Sequence, residues 1–427
     1  MKIWHKLKNK LLYPGALIHL TVLSHLNWGK SLFKKDKVFY EKPYDGQKIL
    51  LLALFEKGVL RGDIENLLTV AKRLGVYTVC VNTLKLDNPE QNNKLIDCYI
   101  ERYNFGRDFG SYKAGFMHLY KRRWHEKCPR LLVLNDSLFY SKNNQANFIE
   151  TLLQTEVEVL GATENHEIEH HLGSFCLSLD GSIVRKDKLR TYWKKYSSSD
   201  VRPVVIKRGE MQLSKTLRRC VTSPGNFSAQ FDLTWFSEYI NSNKDFLDLA
   251  SDFHRASDFY LASDFVDWKR PSIRTSAMRL INRYIMIDPS LSNLEANIET
   301  SREHVSVNFV DNARSLRDAI AAAVKKEVEL EVIERRVYEE VKNDLLECFT
   351  AGSQIHQNGI MLHYLGLPII KLDGLYRGMF SNEDIENLAQ QLESDEVIPF
   401  KRLMYSKPFG GNVLHGWKRS AFYRGLI

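Results

Sequence analysis

KILLLALFEKGVLRGDIENLLTVAKRLGVYTVCV, residues 48–81, is the stretch on which the fold turns. Its opening run, residues 48–55, is too continuously apolar for a strand with one wet face and suits a parallel strand covered on both sides. Asp63 can cap a helix in which Ile64, Leu67, Leu68, Ala71 and Leu74 recur at helical spacing, and Gly75 ends it before a second strand at 76–81. Strand, helix and strand in this order make a βαβ unit. Outward from it the alternation continues: a strand at 98–101, a helix at about 111–124, a strand at 130–134, a helix near 146–153, strands at 157–162 and 174–179, and a helix at 188–196. The expected class is α/β, a parallel sheet flanked by helices.

The chain has 427 residues, 44% of them hydrophobic and 26% charged, which excludes a disordered or collagen-like protein and allows two or three domains. We read a basic N-terminal arm at 1–44, an α/β domain at 45–245, an insertion at 246–300 and a helical C-terminal region at 301–427. In the insertion, ASDF recurs from Ala250, Ala256 and Ala262, too few copies for a solenoid. In the C-terminal region Leu316, Ile320, Val324, Val328 and Val332 keep near-helical spacing, and residues 366–372 resemble one more short buried strand or a turn. Six cysteines without a C-x-x-C pair read as reduced thiols.

The net charge of +8 is unevenly placed: up to Lys37 there are eight lysines against one acid, Asp36, so the rest of the chain is close to neutral. A duplex-binding protein needs a basic stripe across its folded body, so nucleic acid is not an expected partner. A basic arm with Ile3, Trp4, Leu7, Leu11 and Leu12 on one helical face instead suits an anionic membrane surface, or a solvated helix packed on the body. No stretch approaches the roughly 20 apolar residues of a membrane span. The expected location is the cytoplasm, at the inner face of the cell membrane.

Ligands of an open parallel sheet sit beyond the carboxyl ends of its strands. Two polar clusters stand there: RYNFGRDFGSYK at 102–113, with Arg107, Asp108, Tyr112 and Lys113 between glycines, and Asn135, Asp136 and Ser137 directly after the strand RLLVL. Neither matches a dinucleotide fingerprint or a phosphate loop. Turn formation alone is the competing explanation for such residues. A third cluster, Gly209 to Ser214, follows an expected short strand at 204–206 and offers Glu210 as a base if it faces the same cleft.

Taken together, R-x-N-x-G-R-D-F-G-S-Y-K from Arg102, L-N-D-S from Leu134, H-L-G-S-F from His171, V-I-x-x-G-E-x-x-L-S from Val205 and G-x-P-x-I-K from Gly366 resemble the rhamnan synthesis protein F family of polysaccharide glycosyltransferases. The resemblance covers about residues 49–220 and returns near 356–371. It implies a GT-A-like nucleotide-sugar-binding fold and transfer of a sugar, commonly L-rhamnose from dTDP-L-rhamnose, onto a lipid-linked glycan acceptor. On this implication Arg107, Asp108, Tyr112, Lys113, Asn135, Asp136 and Ser137 bind the donor. Asp136 would hold Mg2+ or Mn2+, or else the ribose and sugar, Glu210 would act as base for an inverting transfer, and His171 would contact acceptor or donor. L-N-D-S carries one carboxylate where the usual metal motif carries two, so metal use stays open. A non-catalytic carbohydrate-binding or assembly protein on the same fold is the alternative.

The segment from His166 to His170 also fits H-E-x-x-H, the two-histidine zinc motif of metalloproteases. That chemistry needs an amphipathic helix, whereas Ile168 is the sole large apolar residue here and apolar strands flank it. A solvated polar loop is the expectation.

Overall fold

The computed structural model describes residues 2–166, 168–243, 330–350, 352–407, 409–423 and 425–427. The ASDF insertion and the helical pattern at 311–329 lie outside these residues. The strands are β1 (Lys37–Glu41), β2 (Ile49–Leu54), β3 (Tyr77–Asn82), β4 (Cys98–Glu101), β5 (Arg130–Asn135), β6 (Leu138–Tyr140), β7 (Val159–Asn165), β8 (His171–Leu172), β9 (Cys176–Asp180), β10 (Phe227–Phe231) and β11 (Ile369–Lys371).

The main sheet runs β1-β4-β3-β2-β5-β9-β7-β10, with β8 beside β7, while β6 and β11 pair separately. Strands β4, β3, β2 and β5 are mutually parallel. The expected parallel strand at 174–179 instead runs antiparallel to both neighbours as β9. The expected strand at 204–206 is helical, a turn at Arg202–Val205 passing into a π-helical turn at Ile206–Met211. Val204 and Val205 therefore serve one face of a helix rather than alternating across a sheet.

The apolar continuity of β2 follows from burial on both faces. Leu50, Leu52 and Leu54 enter one core cluster, and Ile49, Leu51 and Ala53 another. Each fully buried side chain of this kind contributes roughly 1.5–3 kcal/mol. Helix α2 (Gly62–Arg73) covers the first face through Ile64, Leu67 and Leu68. Its cap position is Arg61 rather than Asp63, because Asp63 already sits inside the first turn and takes the Arg61 guanidinium. Helix α3 (Arg107–Lys121) covers the second face. It lies so close that a Cβ on Gly115 would stand 2.3 Å from Leu51.

Helix α1 (Lys2–Ser31) has one side on the body: Ala16 packs with Ala421 and Leu426, and Ser24 is buried near Ser199. The last residues of the basic arm, β1, pair with β4 and belong to the sheet. The five described cysteine side chains are free buried thiols.

Candidate active site

The chain leaves β2 for β3 and β4 on one side and then returns to β5 on the other, so the sheet reverses between β2 and β5. The crevice beyond the carboxyl ends at such a reversal is where α/β sheets take ligands. Asn135, Asp136 and Ser137 end β5 at this point. From the other side, α3 begins on Gly106 and Arg107, both with positive φ, +86° and +52°. Gly106 cannot be replaced here because a Cβ would meet Ser198 at 2.6 Å. Arg107 is a charged, exposed residue in the same left-handed region, an arrangement that costs about 1 kcal/mol or more and recurs at functional sites.

Around this crevice the side chains form a connected set. Asn135 Nδ2 donates to Asp108 Oδ2 at 3.1 Å, and Ser137 Oγ donates to Asn135 Oδ1 at 2.6 Å. Lys371 Nζ donates to Ser137 Oγ at 2.9 Å. His171 Nε2 lies 3.5 Å from Glu210 Oε2; the histidine side chain is 2% exposed and the glutamate 27%. Burial pushes the Asp108 carboxyl upward, against the pull of Lys371 and Arg107, and the neighbouring charge of Glu210 adds to the rise. Burial acts the same way on Glu210, but His171, Lys371 and Arg202 outweigh it and hold Glu210 below the usual carboxylate range. For His171 burial favours the neutral ring, yet Glu210 and the Glu169 carbonyl raise it above the ordinary imidazole value.

The C-terminal region completes the site. β11 pairs with β6, bringing Lys371 opposite Leu138, and Leu372 N–H donates to the Ser137 carbonyl at 3.2 Å. Beyond it Asp373 accepts from Arg377 and pairs with His356 Nε2 at 3.1 Å. Burial would lift the Asp373 carboxyl, but His356, Lys371 and Arg377 drive it well below its usual value. Arg202 is brought down to about 10 by burial and by the like charges of Arg377 and Arg107. The sequence pattern alone assigns no role to Lys371, Asp373, Arg377, His356 or Arg202. The rule that singled out Asn135, polar residues just past a short apolar strand, applies equally to Lys371 and Asp373.

Of the residues expected to bind a donor, Arg107, Asp108, Asn135 and Ser137 share this crevice with His171 and Glu210. The other three have their polar groups engaged within the protein. Tyr112 is fully buried, its hydroxyl donating to the Ser174 carbonyl at 3.1 Å, so it braces α3 against the segment after β8. Lys113 spends its ammonium on the Tyr196 carbonyl at 2.6 Å. Asp136 is 7% exposed and turned onto the Phe55 N–H, while its carbonyl accepts from Arg61 at 2.9 Å. Burial pushes its carboxyl up to about 7. Among the described residues the two groupings suited to a metal ion, Glu41 with Cys98 and His118, and Glu164 with His166 and His170, both exclude Asp136.

Glu210 stands in the π-helical turn, where Gly209 lets the backbone approach the Phe109 ring; a Cβ there would come within 2.9 Å of it. Leu172 N–H donates to Ser214 Oγ at 3.2 Å and fixes β8, and with it His171, against the helix that follows Glu210.

A mixed α/β sheet with a polar crevice at its reversal point defines a ligand-binding α/β protein. Residues 76–223 match the family model described as Rhamnan synthesis protein F. The chain is 29% identical over 186 residues to the uncharacterised protein y4gN of Sinorhizobium fredii, covering 42% of this chain and 47% of that one. It is 31% identical over 140 residues to virulence protein VirA of Vibrio anguillarum, covering 31% of this chain and 44% of that one. The chain thus spans about half the length of these curated relatives. The glycosyltransferase GlyE of Streptococcus pneumoniae aligns over 47% of this chain and 50% of its own, at 14% identity and a TM-score of 0.26.

Proposed function

We propose that the chain is a glycosyltransferase of polysaccharide synthesis that moves a sugar from a nucleotide-activated donor with inversion. L-rhamnose from dTDP-L-rhamnose is the expected donor and a lipid-linked glycan the expected acceptor. The observation that carries the reading is the Glu210–His171 pair, set in one crevice with Asp108 and with the cations Lys371, Arg107 and Arg202. Inverting transfer needs a base for the acceptor hydroxyl on one side and positive charge for the departing diphosphate on the other.

Glu210 is kept ionised by His171, Lys371 and Arg202, and so is ready to take the hydroxyl proton as the new bond forms. Lys371, held by Ser137, and Arg107, at the head of α3, supply charge to the diphosphate. Asp108, fixed by Asn135, is suited to a sugar or ribose hydroxyl.

Attachment to an anionic membrane surface belongs to the same proposal. On α1, Ile18, Val22 and Leu26 lie four residues apart on one face and are 64%, 52% and 60% exposed, and Leu32 and Phe33 continue the apolar surface beside Lys30, Lys34 and Lys35. No described helix is long and apolar enough to cross a membrane. The test of the function is a panel of nucleotide-sugars screened for thermal stabilisation and for diphosphate release in the presence of glycan-lipid extracts. One donor that stabilises and turns over supports the proposal. Carbohydrate binding without any nucleotide-sugar binding would favour a non-catalytic assembly role.

A further inference from the structure

The described residues of the H-E-x-x-H segment, 166 and 168–170, are not helical, yet its two histidines come together. His166 and His170 stack with ring centroids 4.7 Å apart and planes 21° from parallel, so both rings aim the same way. They aim at Glu164, the residue at the end of β7 that the motif does not contain. His170 Nε2 is 2.7 Å from one carboxylate oxygen and His166 Nε2 is 3.3 Å from the other. One ligand atom from each of the three lies within 4.8 Å of the others. We infer that Glu164, His166 and His170 form a binding site for a divalent transition ion of the zinc class, a structural site that pins the turn between β7 and β8.

Two imidazole nitrogens and one carboxylate oxygen make a donor set that suits zinc, and a water can complete a four-coordinate shell. Zinc holds nitrogen and oxygen at about 2.0–2.2 Å, which places ligand atoms roughly 3.4 Å apart. The His166 separation of 3.3 Å already stands near that value, while the 2.7 Å contact of His170, a hydrogen bond, has to open by about 0.7 Å, so closing the site asks for rotations of two half-buried rings. The frame behind them is fixed. Glu164 N–H donates to Gln354 Oε1 at 2.8 Å, His166 N–H donates to the Gly352 carbonyl at 2.9 Å, and Asn165 bridges to Ser353.

One group opposes the ion. The Arg218 guanidinium, which lies over the Phe227 ring, contacts His170 Nδ1 and donates to the His170 carbonyl at 2.8 Å. While Arg218 donates to Nδ1, the ring proton of a neutral His170 sits on Nε2, toward Glu164. Metal entry moves that proton to Nδ1 and swings the exposed arginine away.

The test is zinc titration of the full chain, purified without a polyhistidine tag, by calorimetry, together with the visible spectrum of its cobalt-substituted form. The expected result is one saturable equivalent with a dissociation constant below about 10 µM. It should weaken at least tenfold in His166→Ala and in His170→Ala, survive in His118→Ala of the other grouping, and tighten in Arg218→Ala. Cobalt should give the d–d bands of a four-coordinate nitrogen–oxygen site. His166 and His170 are half-buried and outside the apolar core, and thermal unfolding without metal verifies that each variant is still folded. Absence of a saturable equivalent, its persistence in the His166→Ala/His170→Ala double variant, or its loss in His118→Ala overturns the assignment.

Discussion

Replacing Glu210 with glutamine keeps its volume and removes one charge from the crevice. At 3.5 Å and an effective dielectric of about 20, the attraction to a protonated His171 is about 5 kcal/mol before desolvation is counted. Most of that does not reach the folding equilibrium, because both groups leave water to form the pair and because His171 can lose its proton once its partner is gone. The expected net loss is about 1 kcal/mol, a fall of roughly 2–4 °C in Tm for a domain of this size. Catalysis has no such relief. Removal of a base from a hydroxyl-activating position lowers turnover about 10²–10⁴-fold, or roughly 3–5 kcal/mol of barrier.

The pH dependence separates the two effects. Glu210 sits below its ordinary value when folded, so its contribution is present above about pH 4.3 and is lost as pH falls through the folded value. His171 sits above its ordinary value, so its contribution is complete below about pH 6.5 and is lost as pH rises through the folded value. Wild type and Glu210→Gln should therefore differ most in stability near pH 5–6 and converge toward pH 8, where the turnover difference persists. Thermal unfolding across pH and initial rates of nucleoside diphosphate release measure both. A loss of rate below tenfold with donor binding intact, or a Tm fall beyond about 10 °C, refutes the base assignment.

Asp136→Asn removes a buried carboxylate whose folded value near 7 favours the protonated form, so wild-type stability falls as pH rises from about 4 toward 7. The variant should be more stable than wild type at pH 8, by at most about 4 kcal/mol, with a flatter pH profile in calorimetry; equal stability at pH 8 would count against burial as the cause. Lys371→Met keeps the side-chain stem and removes the cation beside Ser137 and Asp108, and it should raise the donor KM at least tenfold with Tm changed by only a few degrees. An unaltered KM removes Lys371 from the diphosphate. Changing Ile18, Val22 and Leu26 together to serine should weaken co-sedimentation with anionic vesicles at least tenfold while leaving Tm nearly constant, since all three are exposed. Unchanged sedimentation argues against this face.

The elements most legible in the sequence were those whose apolar pattern is set by burial on two faces. β2, β3, β4 and β5 fall within a residue or two of their expected bounds, because Leu50 and Leu51 each face a separate core. What misled was orientation and local winding. An apolar run carries no sign of direction, so β9 could not be told from a parallel strand, and Val204–Ile206 is equally apolar in a strand or a helix. In the site, Asp108 and Asn135 follow from their place after strands. Asp136 illustrates the limit of that rule: adjacent residues at a strand end point to opposite sides, and Asn135 faces Asp108 while the Asp136 carboxylate takes the Phe55 N–H. The contribution of Lys371 was hidden by 234 residues of intervening chain, a pairing that only the β6–β11 register reveals.

That register bears on how truncations of this protein are to be read. The segment matched by the family model ends at residue 223, but the crevice it half-builds is closed by β11. A shortened protein ending near 243 would retain every strand of the main sheet and yet lack the ammonium and the Asp373–Arg377–His356 group. Its inactivity would say nothing against the chemistry of Glu210. Supplying residues 330–427 as a separate polypeptide to such a fragment offers a direct way to recover the missing half of the crevice by complementation.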